Sequence, residues 1–414
     1  MSLNVLVVDR TPPSSLTQGG SLIGRHVFGR LSRRHRLTLL SPVAATARPD
    51  LEVLRDMFED IHLVTVRAPI AAIGGWFEAE AAMRTPSVAP ADARRIAAVA
   101  RTLAQDGGFD AIHVRQLPMA PYGRAFGLTP RLLELVDSET LGSRRTAREA
   151  AADGRHRRRA IRTGARAALA RVVEGRAVAG YRTVTAVAEA DAAAIRALAP
   201  RSAVEVIPNG VDAGHFAPMD LPEQPDTLTF VGAMDFPPNV AAARFLVEHV
   251  MPRVRTPGIH VRLVGRSPAP AVRVLAERPG VEVTGEVDDV RPWLSTTSLV
   301  VCPMVSGSGI KNKVLEAMAM ARPIVATPVA LEGVEGTAGT VAAAEEPGRL
   351  AAEIDRLLGD PATRREMGAR GRALVVERYS WEACADAYER IYERIVASAV
   401  SERHSAGAAS PATR

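Results

Sequence analysis

The residues best suited to ligand chemistry lie in one stretch of the sequence, 299–327. An apolar run at Leu299–Cys302 predicts a buried strand, and the small residues of Ser306–Gly309 let backbone amides approach a ligand. From Ile310 the apolar residues recur at helical spacing, and a second apolar run at 323–326 predicts another strand. The predicted order is therefore strand, glycine loop, helix and strand. In such a unit the free N–H groups and the dipole of the first helical turn attract phosphate oxygens.

Two side chains of this helix are suited to complete a nucleotide site. Lys313 lies in the first turn, where its ammonium can reach a phosphate, and Glu316 follows three residues later over the same face. A carboxylate accepts two hydrogen bonds at once, so Glu316 fits a ribose diol, while Gly309 and Ile310 would present their amides to the same ligand. A lysine and a glutamate at this spacing are also common as a solvated surface pair. Spacing alone leaves both interpretations open.

The segment 307–327, GSGIKNKVLEAMAMARPIVAT, resembles the donor-site signature of the GT-B glycosyltransferases of family 4. It is most similar to the bacterial sugar transferases associated with exopolysaccharide gene clusters. The resemblance implies that Lys313 and the helix end bind the diphosphate of a nucleotide sugar and that Glu316 binds its ribose. The family commonly has a second glutamate eight residues before Glu316, near the donor sugar, and this chain has Ser308 there. We assign Ser308 to the donor side and expect it to act as a helix N-cap.

Three further donor-side positions follow from the same resemblance. After the predicted strand 228–231, Gly232 is followed by Ala233, where many relatives place an arginine and then a lysine for the diphosphate. Asn239 opens the next helix instead, so Lys313, alone or together with Lys311, must carry most of the positive charge. The backbone at Val287 matches the position that contacts the nucleobase in the family.

A glycine pair near the start of the chain is a fourth candidate. The first predicted strand, Leu3–Asp9, is followed by a loop with two prolines and the pair Gly19-Gly20, and a helix is predicted from about Ser21. A lone glycine pair is more often simply a tight turn. Family 4 proteins carry a similar pair that approaches the diphosphate, and this resemblance assigns Gly20 to the donor site.

Two strand ends in the first half carry polar residues. Arg115 follows the strand 111–114, at a position where relatives often have a histidine close to the reacting sugar; arginine keeps a hydrogen-bond donor but loses a titratable group. We list it as a catalytic candidate. Asp137 follows the strand 132–136 and either faces the acceptor or caps the next helix. His113 is interpreted as structural and as pointing to the other face of its strand.

Residues 144–182 form the most basic part of the chain. This segment contains twelve arginines and three acidic residues, Glu149, Asp153 and Glu174. A long solvated helix, a site for a phosphate-bearing acceptor and an anionic membrane surface are all compatible with it. Nucleic acid is not expected, because aromatic platforms and known nucleic-acid-binding motifs are missing. The arginines are Arg144, Arg145, Arg148, Arg155, Arg157, Arg158, Arg159, Arg162, Arg166, Arg171, Arg176 and Arg182.

The alternation of strands and helices predicts an α/β protein with two doubly wound, Rossmann-like domains and a cleft between them, which is the GT-B architecture. A length of 414 residues suits two domains. We place the acceptor-side domain at 1–207, the nucleotide-sugar domain at 208–376, a helix that crosses back to the first domain at 377–400, and a disordered tail at 401–414.

The cysteine content and the hydropathy pattern limit the cellular compartments in which the protein is expected. Cys302 and Cys384 are the two cysteines, too few for a disulfide framework or a zinc site, and neither a signal peptide nor an 18-residue apolar span is evident. We therefore expect a cytoplasmic protein, either free or peripheral at the inner face of the membrane.

The resemblance implies a retaining glycosyltransferase that takes a nucleotide-diphosphate sugar as donor substrate. No metal or other cofactor is expected, because the sequence has neither a D-x-D pair in a suitable loop nor a His/Cys cluster to hold one. The resemblance does not identify the sugar or the acceptor, because acceptor loops vary on this fold; the basic segment 144–182 is compatible with a phosphate-bearing or lipid-linked acceptor. Two alternatives remain open. One is a nucleotide-sugar 2-epimerase on the same fold, which the residues Ser308 and Arg115 disfavour. The other is an inactive partner subunit that still binds nucleotide, if Ser308, Ala233 and Arg115 mark a decayed site.

Overall fold

The computed structural model describes residues 2–14, 19–152, 157–307 and 309–408. These residues divide into two compact units. The first unit is the chain up to Ile207 together with the residues from Cys384 onward, and the second is 208–383. The second unit therefore ends at Ala383, whereas the sequence places the end of that domain at 376.

The first unit is built on a parallel sheet with strand order β3-β2-β1-β4-β5-β6-β7. Its strands are short apolar runs, and helices connect them, as parallel strands require. Its elements are β1 Asn4–Val8, α1 Gly19–Leu31, β2 Arg36–Ala44, α2 Leu51–Arg55, β3 Asp60–Val66, α3 Ala72–Arg84, α4 Ala91–Asp106, β4 Ala111–Arg115, β5 Arg131–Glu134, α5 Glu139–Ala152, α6 Arg157–Val178, β6 Thr183–Ala186, α7 Glu189–Leu198 and β7 Ala203–Val206, with 3-10 helices at Pro86–Val88 and Leu117–Phe126.

The second unit repeats the architecture with strand order β10-β9-β8-β11-β12-β13, again all parallel. Its elements are β8 Thr227–Val231, α8 Pro237–Arg244, a π-helix at Phe245–Val250, β9 His260–Val264, α9 Pro270–Arg273, β10 Val281–Gly285, α10 Arg291–Ser295, β11 Leu299–Cys302, α11 Asn312–Ala319, β12 Ile324–Ala326, β13 Val341–Ala343, α12 Pro347–Leu358 and α13 Pro361–Arg378, with 3-10 helices at Met251–Arg253, Val274–Glu277 and Pro328–Leu331. The last helix, α14, is Trp381–Ala408.

Each sheet has one point at which the order of its strands reverses. In the first unit this point lies between β1 and β4, and in the second between β8 and β11. In open α/β sheets, ligands bind outside the carboxyl ends of the strands at such a point. The predicted doubly wound fold class is confirmed, and the topology directs attention to the segments that follow Val8, Arg115, Val231 and Cys302.

Each unit has its own apolar core, and small aliphatic residues dominate both. In the second unit, α11 buries Val314, Leu315 and Met318 against the sheet. In the first unit, α4 buries Ile96 and Ala100. The periodicity that predicts these helices is therefore the periodicity of their buried faces.

Two predictions about helices need correction. The basic segment 144–182 was compatible with one long helix, but it contains two, α5 and α6, which pack against each other. The predicted disordered tail from Ser401 is wrong as far as Ala408, because α14 continues to that residue. Glu402 pairs with Arg182 of the first unit, which gives this part of the helix a partner. Residues 409–414 lie outside the described residues.

Candidate functional site

The strand-order reversal of the second unit gathers several of the predicted residues. Gly232 follows β8 directly, and the loop after β11 leads into α11, whose second residue is Lys313. Because β8 and β11 are hydrogen-bonded neighbours, these two segments leave the sheet side by side. Four predicted residues, Gly232, Asn239, Lys313 and Glu316, therefore lie around one sheet edge.

The Lys313 ammonium is held by three groups of the second unit. Its Nζ donates to Oδ1 of Asn239 at 2.7 Å, lies 4.4 Å from the ring centroid of Phe230, and is 4.0 Å from Sδ of Met304. Burial lowers the pKa of Lys313 from 10.5 to about 8, because the charged form is poorly solvated there. An anion bound beside Lys313 would raise this pKa again, so the protonated fraction of the lysine would increase on binding.

Gly232 is required for this arrangement. A Cβ at this position would lie 2.7 Å from Nδ2 of Asn239 and 2.8 Å from Nζ of Lys313. The same Asn239 amide donates to the carbonyl of Ala233 at 2.9 Å, so one side chain connects the turn after β8 to the lysine. Asn239 therefore positions Lys313, a role that the sequence did not indicate.

Glu316 is half-buried on α11, one turn after Lys313. Burial raises the pKa of its carboxyl group from 4.5 to about 7, and the neighbouring Lys313 opposes this rise. Among the described residues its carboxylate has no hydrogen-bond donor, although it is not fully exposed. A carboxylate in this state is ready to accept hydrogen bonds from a ligand that brings its own donors.

The loop before α11 is shaped by glycines with positive φ. Gly307 has φ 115° and Gly309 has φ 71°, values that favour glycine. Lys311 donates from Nζ to the carbonyl of Gly309 at 2.6 Å and occupies the N-cap position of α11. Ile310 lies in the loop, with its side chain buried. The helix therefore begins at Asn312, two residues later than the sequence predicts, and its first-turn amides follow directly on this loop.

The N-cap role expected for Ser308 is wrong, because Lys311 takes that position. Ser308 itself lies outside the described residues, so its assignment to the donor side stays a prediction.

Val287 follows β10 and packs against the core of the second unit as a partly buried residue. Its backbone amide and carbonyl form no hydrogen bond with the described residues. They are therefore available to a planar ligand with complementary edges, as the sequence resemblance suggests.

Arg115 lies in a buried ionic network of the first unit. Its guanidinium donates from Nε and Nη2 to the two oxygens of Glu134, both at 2.9 Å, and also pairs with Asp9. His113 bonds to the same Glu134 carboxylate at 2.9 Å and to the hydroxyl of Tyr392 at 2.6 Å. The prediction that His113 points to the opposite face is wrong, because residues two apart on a strand share a face.

The burial of Arg115 bears on its proposed catalytic role. The side chain has no exposed surface, and the carboxylates of Asp9 and Glu134 surround it. Burial raises the pKa of Asp9 to about 6 despite the arginine, while Arg115 and His113 hold the pKa of Glu134 well below its ordinary value. This environment favours a structural role that ties the ends of β1, β4 and β5 together, and the catalytic role stays an untested prediction.

Asp137 is exposed in the turn before α5. The helix is capped instead by its neighbours: Ser138 Oγ accepts from the amide of Leu141, and the buried Glu174 of α6 accepts from the amides of Glu139 and Thr140 at 3.0 and 3.1 Å. The capping alternative for Asp137 is therefore wrong, and its acceptor-side assignment stays a prediction. No sequence signal indicated the capping role of Glu174, which is one of three acids among the twelve arginines of 144–182.

Gly20 is the second residue of α1 in the first unit, so the helix begins two residues earlier than the predicted Ser21 and includes the glycine pair that was placed in the loop before it. The assignment of Gly20 to the donor site stays a prediction. Within the described ranges, no group of three or more histidine, cysteine, aspartate or glutamate side chains is arranged to hold a metal ion. None of the helices described there combines the length and apolarity needed to cross a membrane.

Comparison with known proteins places this geometry in context. Residues 225–360 match the family model described as glycosyl transferases group 1. The alpha-maltose-1-phosphate synthase of Mycobacterium tuberculosis strain CDC 1551 is 33% identical over 121 residues, which are 27% of this chain and 31% of that protein. The MMP alpha-(1->4)-mannosyltransferase of Mycolicibacterium hassiacum is 27% identical over 226 residues, 52% of this chain and 54% of that protein. These matches span about a third to about a half of the relatives' own length.

Solved structures share the fold over almost the whole chain. Sucrose-phosphate synthase from Thermosynechococcus elongatus aligns with a TM-score of 0.68 and 16% identity, covering 96% of this chain and all of that one. The Anabaena Alr3699/HepE protein in complex with UDP and glucose aligns with a TM-score of 0.64 and 13% identity, covering 94% and 99%. At these identities the likeness shows the fold alone, and that fold is GT-B.

Proposed function

We propose that this chain, which carries a glycosyl transferases group 1 domain over residues 225–360 within a GT-B fold, is a retaining glycosyltransferase. It moves a sugar from a nucleotide-diphosphate sugar to an acceptor in glycan, glycolipid or natural-product biosynthesis. The observation that carries the proposal is the pair Lys313 and Glu316 at the strand-order reversal of the second unit. One is a partly buried cation, and the other is a carboxylate to which none of the described residues donates a hydrogen bond.

Each part of a nucleotide sugar has a matching group in this proposal. Lys313 and the first-turn amides of α11 bind the diphosphate, and Glu316 accepts two hydrogen bonds from the ribose diol. The backbone of Val287 contacts the nucleobase. Gly232 lets the backbone approach the diphosphate closely. The assignment of Gly20 to the donor site rests on the sequence resemblance.

The reaction is a front-side displacement at the anomeric carbon. The bond from that carbon to the diphosphate oxygen breaks, a bond to the acceptor oxygen forms on the same face, and the acceptor's proton passes to the leaving diphosphate. The protein positions the reactants and stabilises the charge that develops on the diphosphate. Lys313 is suited to this task, because negative charge building beside it raises its pKa from about 8 and keeps it protonated.

The proposal requires no metal ion or other cofactor, because Lys313 and the helix amides supply the positive charge that a divalent ion would otherwise provide. Full activity in the presence of EDTA is the expected result. Loss of activity that magnesium or manganese restores would show that this part of the proposal is wrong.

The acceptor is proposed to be phosphate-bearing or lipid-linked, and the protein to act in the cytoplasm at the inner face of the membrane. The arginines of 144–182 support an anionic partner. The name of one relative, alpha-maltose-1-phosphate synthase, describes the formation of a sugar phosphate and supports the first alternative.

The test begins with binding and proceeds to turnover. A panel of UDP-, GDP- and ADP-sugars is screened by the shift in melting temperature, starting with UDP-glucose, since Anabaena Alr3699/HepE is solved with it. Each donor that binds is then incubated with sugar phosphates and with lipid-linked acceptors. Transfer with retained anomeric configuration is expected. Binding without turnover would favour an inactive partner subunit, release of a free epimerised sugar without acceptor would favour an epimerase, and no binding would overturn the nucleotide-sugar site.

A further inference from the structure

The outward face of α6 carries exposed aliphatic side chains. Ile161 is 63% exposed, Leu169 42% and Val172 48%. At 100° per residue these three positions fall within a sector of about 80°. The other side of the helix is buried, with Ala170 about 180° and Ala177 about 160° from Ile161 and both in the core of the first unit. The exposed aliphatic residues therefore contribute nothing to the core and form a stripe along the helix.

Arginines lie within and beside this stripe. Arg158 and Arg176 lie about 60° from Ile161 around the helix axis, Arg162 about 100° on that side, and Arg171 about 80° on the other side. All four are exposed. The acidic residue of α6, Glu174, is fully buried and caps α5 through its hydrogen bonds, so it does not neutralise them. The outer face of α6 is therefore both apolar and strongly cationic.

We propose that this face of α6 docks the protein onto an anionic lipid bilayer, with the aliphatic stripe in the headgroup boundary and the arginines on lipid phosphates. The inference builds on the proposed location at the membrane and is independent of the transferase chemistry. Helices of this pattern lie in the plane of a membrane interface. Each basic residue near an anionic surface strengthens attachment about fivefold, and the aliphatic side chains add their burial.

Two other occupants fit this face less well. A nucleic acid would pair with the arginines but would leave Ile161, Leu169 and Val172 in water, and the segment lacks aromatic platforms. A second copy of the chain would cover the aliphatic residues but would bring two sets of arginines together. A bilayer with anionic headgroups satisfies both features at once.

The test is flotation of the full chain with vesicles of phosphatidylcholine, with and without phosphatidylglycerol. The protein is expected to float with the anionic vesicles, to release at high salt, and to stay unbound with neutral vesicles. A triple variant, Ile161→Ser, Leu169→Ser and Val172→Ser, should bind at least about tenfold more weakly. A second triple variant, Arg158→Gln, Arg162→Gln and Arg176→Gln, should bind about a hundredfold more weakly.

Matched controls distinguish the contribution of the α6 face to vesicle binding from a general effect of exposed aliphatic residues or arginines. Val88→Ser with Leu128→Ser removes exposed aliphatic residues elsewhere, and the triple variant Arg55→Gln, Arg94→Gln and Arg278→Gln removes exposed arginines elsewhere. Both controls should float like the unaltered chain.

Absence of vesicle binding by the unaltered chain, or equal losses in the variants and their controls, would overturn the proposal. Tighter binding of an RNA or DNA duplex that depends on the arginines and not on Ile161 would also overturn it, in favour of nucleic acid. Nucleotide-sugar binding by the two α6 variants serves as the folding check. If the unaltered chain does not bind nucleotide sugars, that result contradicts the proposed function and leaves the membrane-docking proposal unaffected.

Discussion

Lys313 and Lys311 lie two residues apart and have different environments. Lys313 contacts Asn239 and Phe230 at the edge of the second sheet, whereas Lys311 donates to the carbonyl of Gly309 in its own loop. One ammonium therefore faces a polar, partly enclosed site, and the other braces the glycine loop. The same difference follows from helical geometry, since the two positions are offset by about 200°.

We therefore expect Lys313→Ala to lower kcat by about a hundredfold or more, because charge on the leaving diphosphate grows toward the transition state. Lys311→Ala serves as the matched control and should have a much smaller effect. Steady-state kinetics with saturating donor measures both. Equal losses for the two lysines, or a change limited to KM for Lys313→Ala, would contradict this placement of the diphosphate.

Glu316→Ala should fold normally and bind the nucleotide sugar much more weakly. Two charge-assisted hydrogen bonds to a ribose contribute roughly 1.5 to 3 kcal/mol each. Isothermal titration with the donor identified by screening measures the loss, and a 2′,3′-dideoxy nucleotide provides a second check, since its affinity should hardly depend on Glu316. Unchanged affinity for the natural donor would remove Glu316 from the site.

In the free protein, the ionised carboxylate of Glu316 should lower the free energy of unfolding. Burial raises the pKa of Glu316 from 4.5 to about 7, so its favourable contribution is present below pH 4.5 and is lost as the pH rises through 7. Glutamine does not titrate. We expect Glu316→Gln to be more stable than the unaltered chain at pH 8, by about 2 kcal/mol, and to lose this advantage toward pH 5. Denaturant unfolding at both pH values measures the difference, and an advantage that does not change with pH would refute the assignment.

At the scale of elements, the site depends on how closely β8 and α11 approach. Gly232→Ala would place a Cβ within 2.8 Å of the Lys313 ammonium and 2.7 Å of the Asn239 amide. The φ of Gly232 lies outside the left-handed region, so the backbone tolerates alanine and the fold should persist. We expect turnover to fall by about tenfold or more as Lys313 is displaced.

Gly348→Ala in α12 is the matched control, because a Cβ there meets nothing within 4 Å. It should have ordinary activity. Circular dichroism and donor turnover are measured for both variants. Unchanged turnover in Gly232→Ala would show that Lys313 does not need its present position.

The sequence predicted these elements well where their signal is local. The apolar runs of β8 and β11 and the helical spacing in α11 correspond to buried faces, and the positions of Lys313 and Glu316 follow from them. Contacts between distant residues gave no such signal. Arg115 and Asp9 are 106 residues apart, and their pairing depends on β1 and β4 being neighbours, which only the sheet order reveals.

The same limit explains why the role of Asn239 was missed. Its side chain bonds to Lys313, 74 residues away, and a motif read along the chain cannot include that contact. The prediction of helix lengths was wrong for a different reason. The arginines of 144–182 show where charge lies but not where a helix ends, so the separation of α5 from α6 could not be predicted.

At the scale of the whole molecule, the chain returns to its first unit after completing the second. From Cys384 onward α14 belongs to the first unit, and Tyr388, Ile391 and Tyr392 are buried there. The hydroxyl of Tyr392 bonds to His113 in the network that includes Arg115 and Glu134. Asp386 and Glu389 pair with Arg34 at 2.5 Å. The last part of the chain is thus a component of the first unit's core.

We predict that a chain ending at Ala383 loses stability in its first unit and retains it in the second. Removal of three buried aromatic or aliphatic side chains costs several kcal/mol, and the His113 and Arg34 partners are lost with them. Hydrogen–deuterium exchange should show faster exchange in β4 and β5 and unchanged protection in β8 and β11. A chain ending at Glu402 retains the described contacts of α14 with the first unit and should exchange like the full protein. Tyr392→Phe removes one hydroxyl and should destabilise the first unit by about 1 kcal/mol. Equal loss of protection in both units after truncation at Ala383 would mean that the second unit also depends on this helix, contrary to the division of the chain at Cys384.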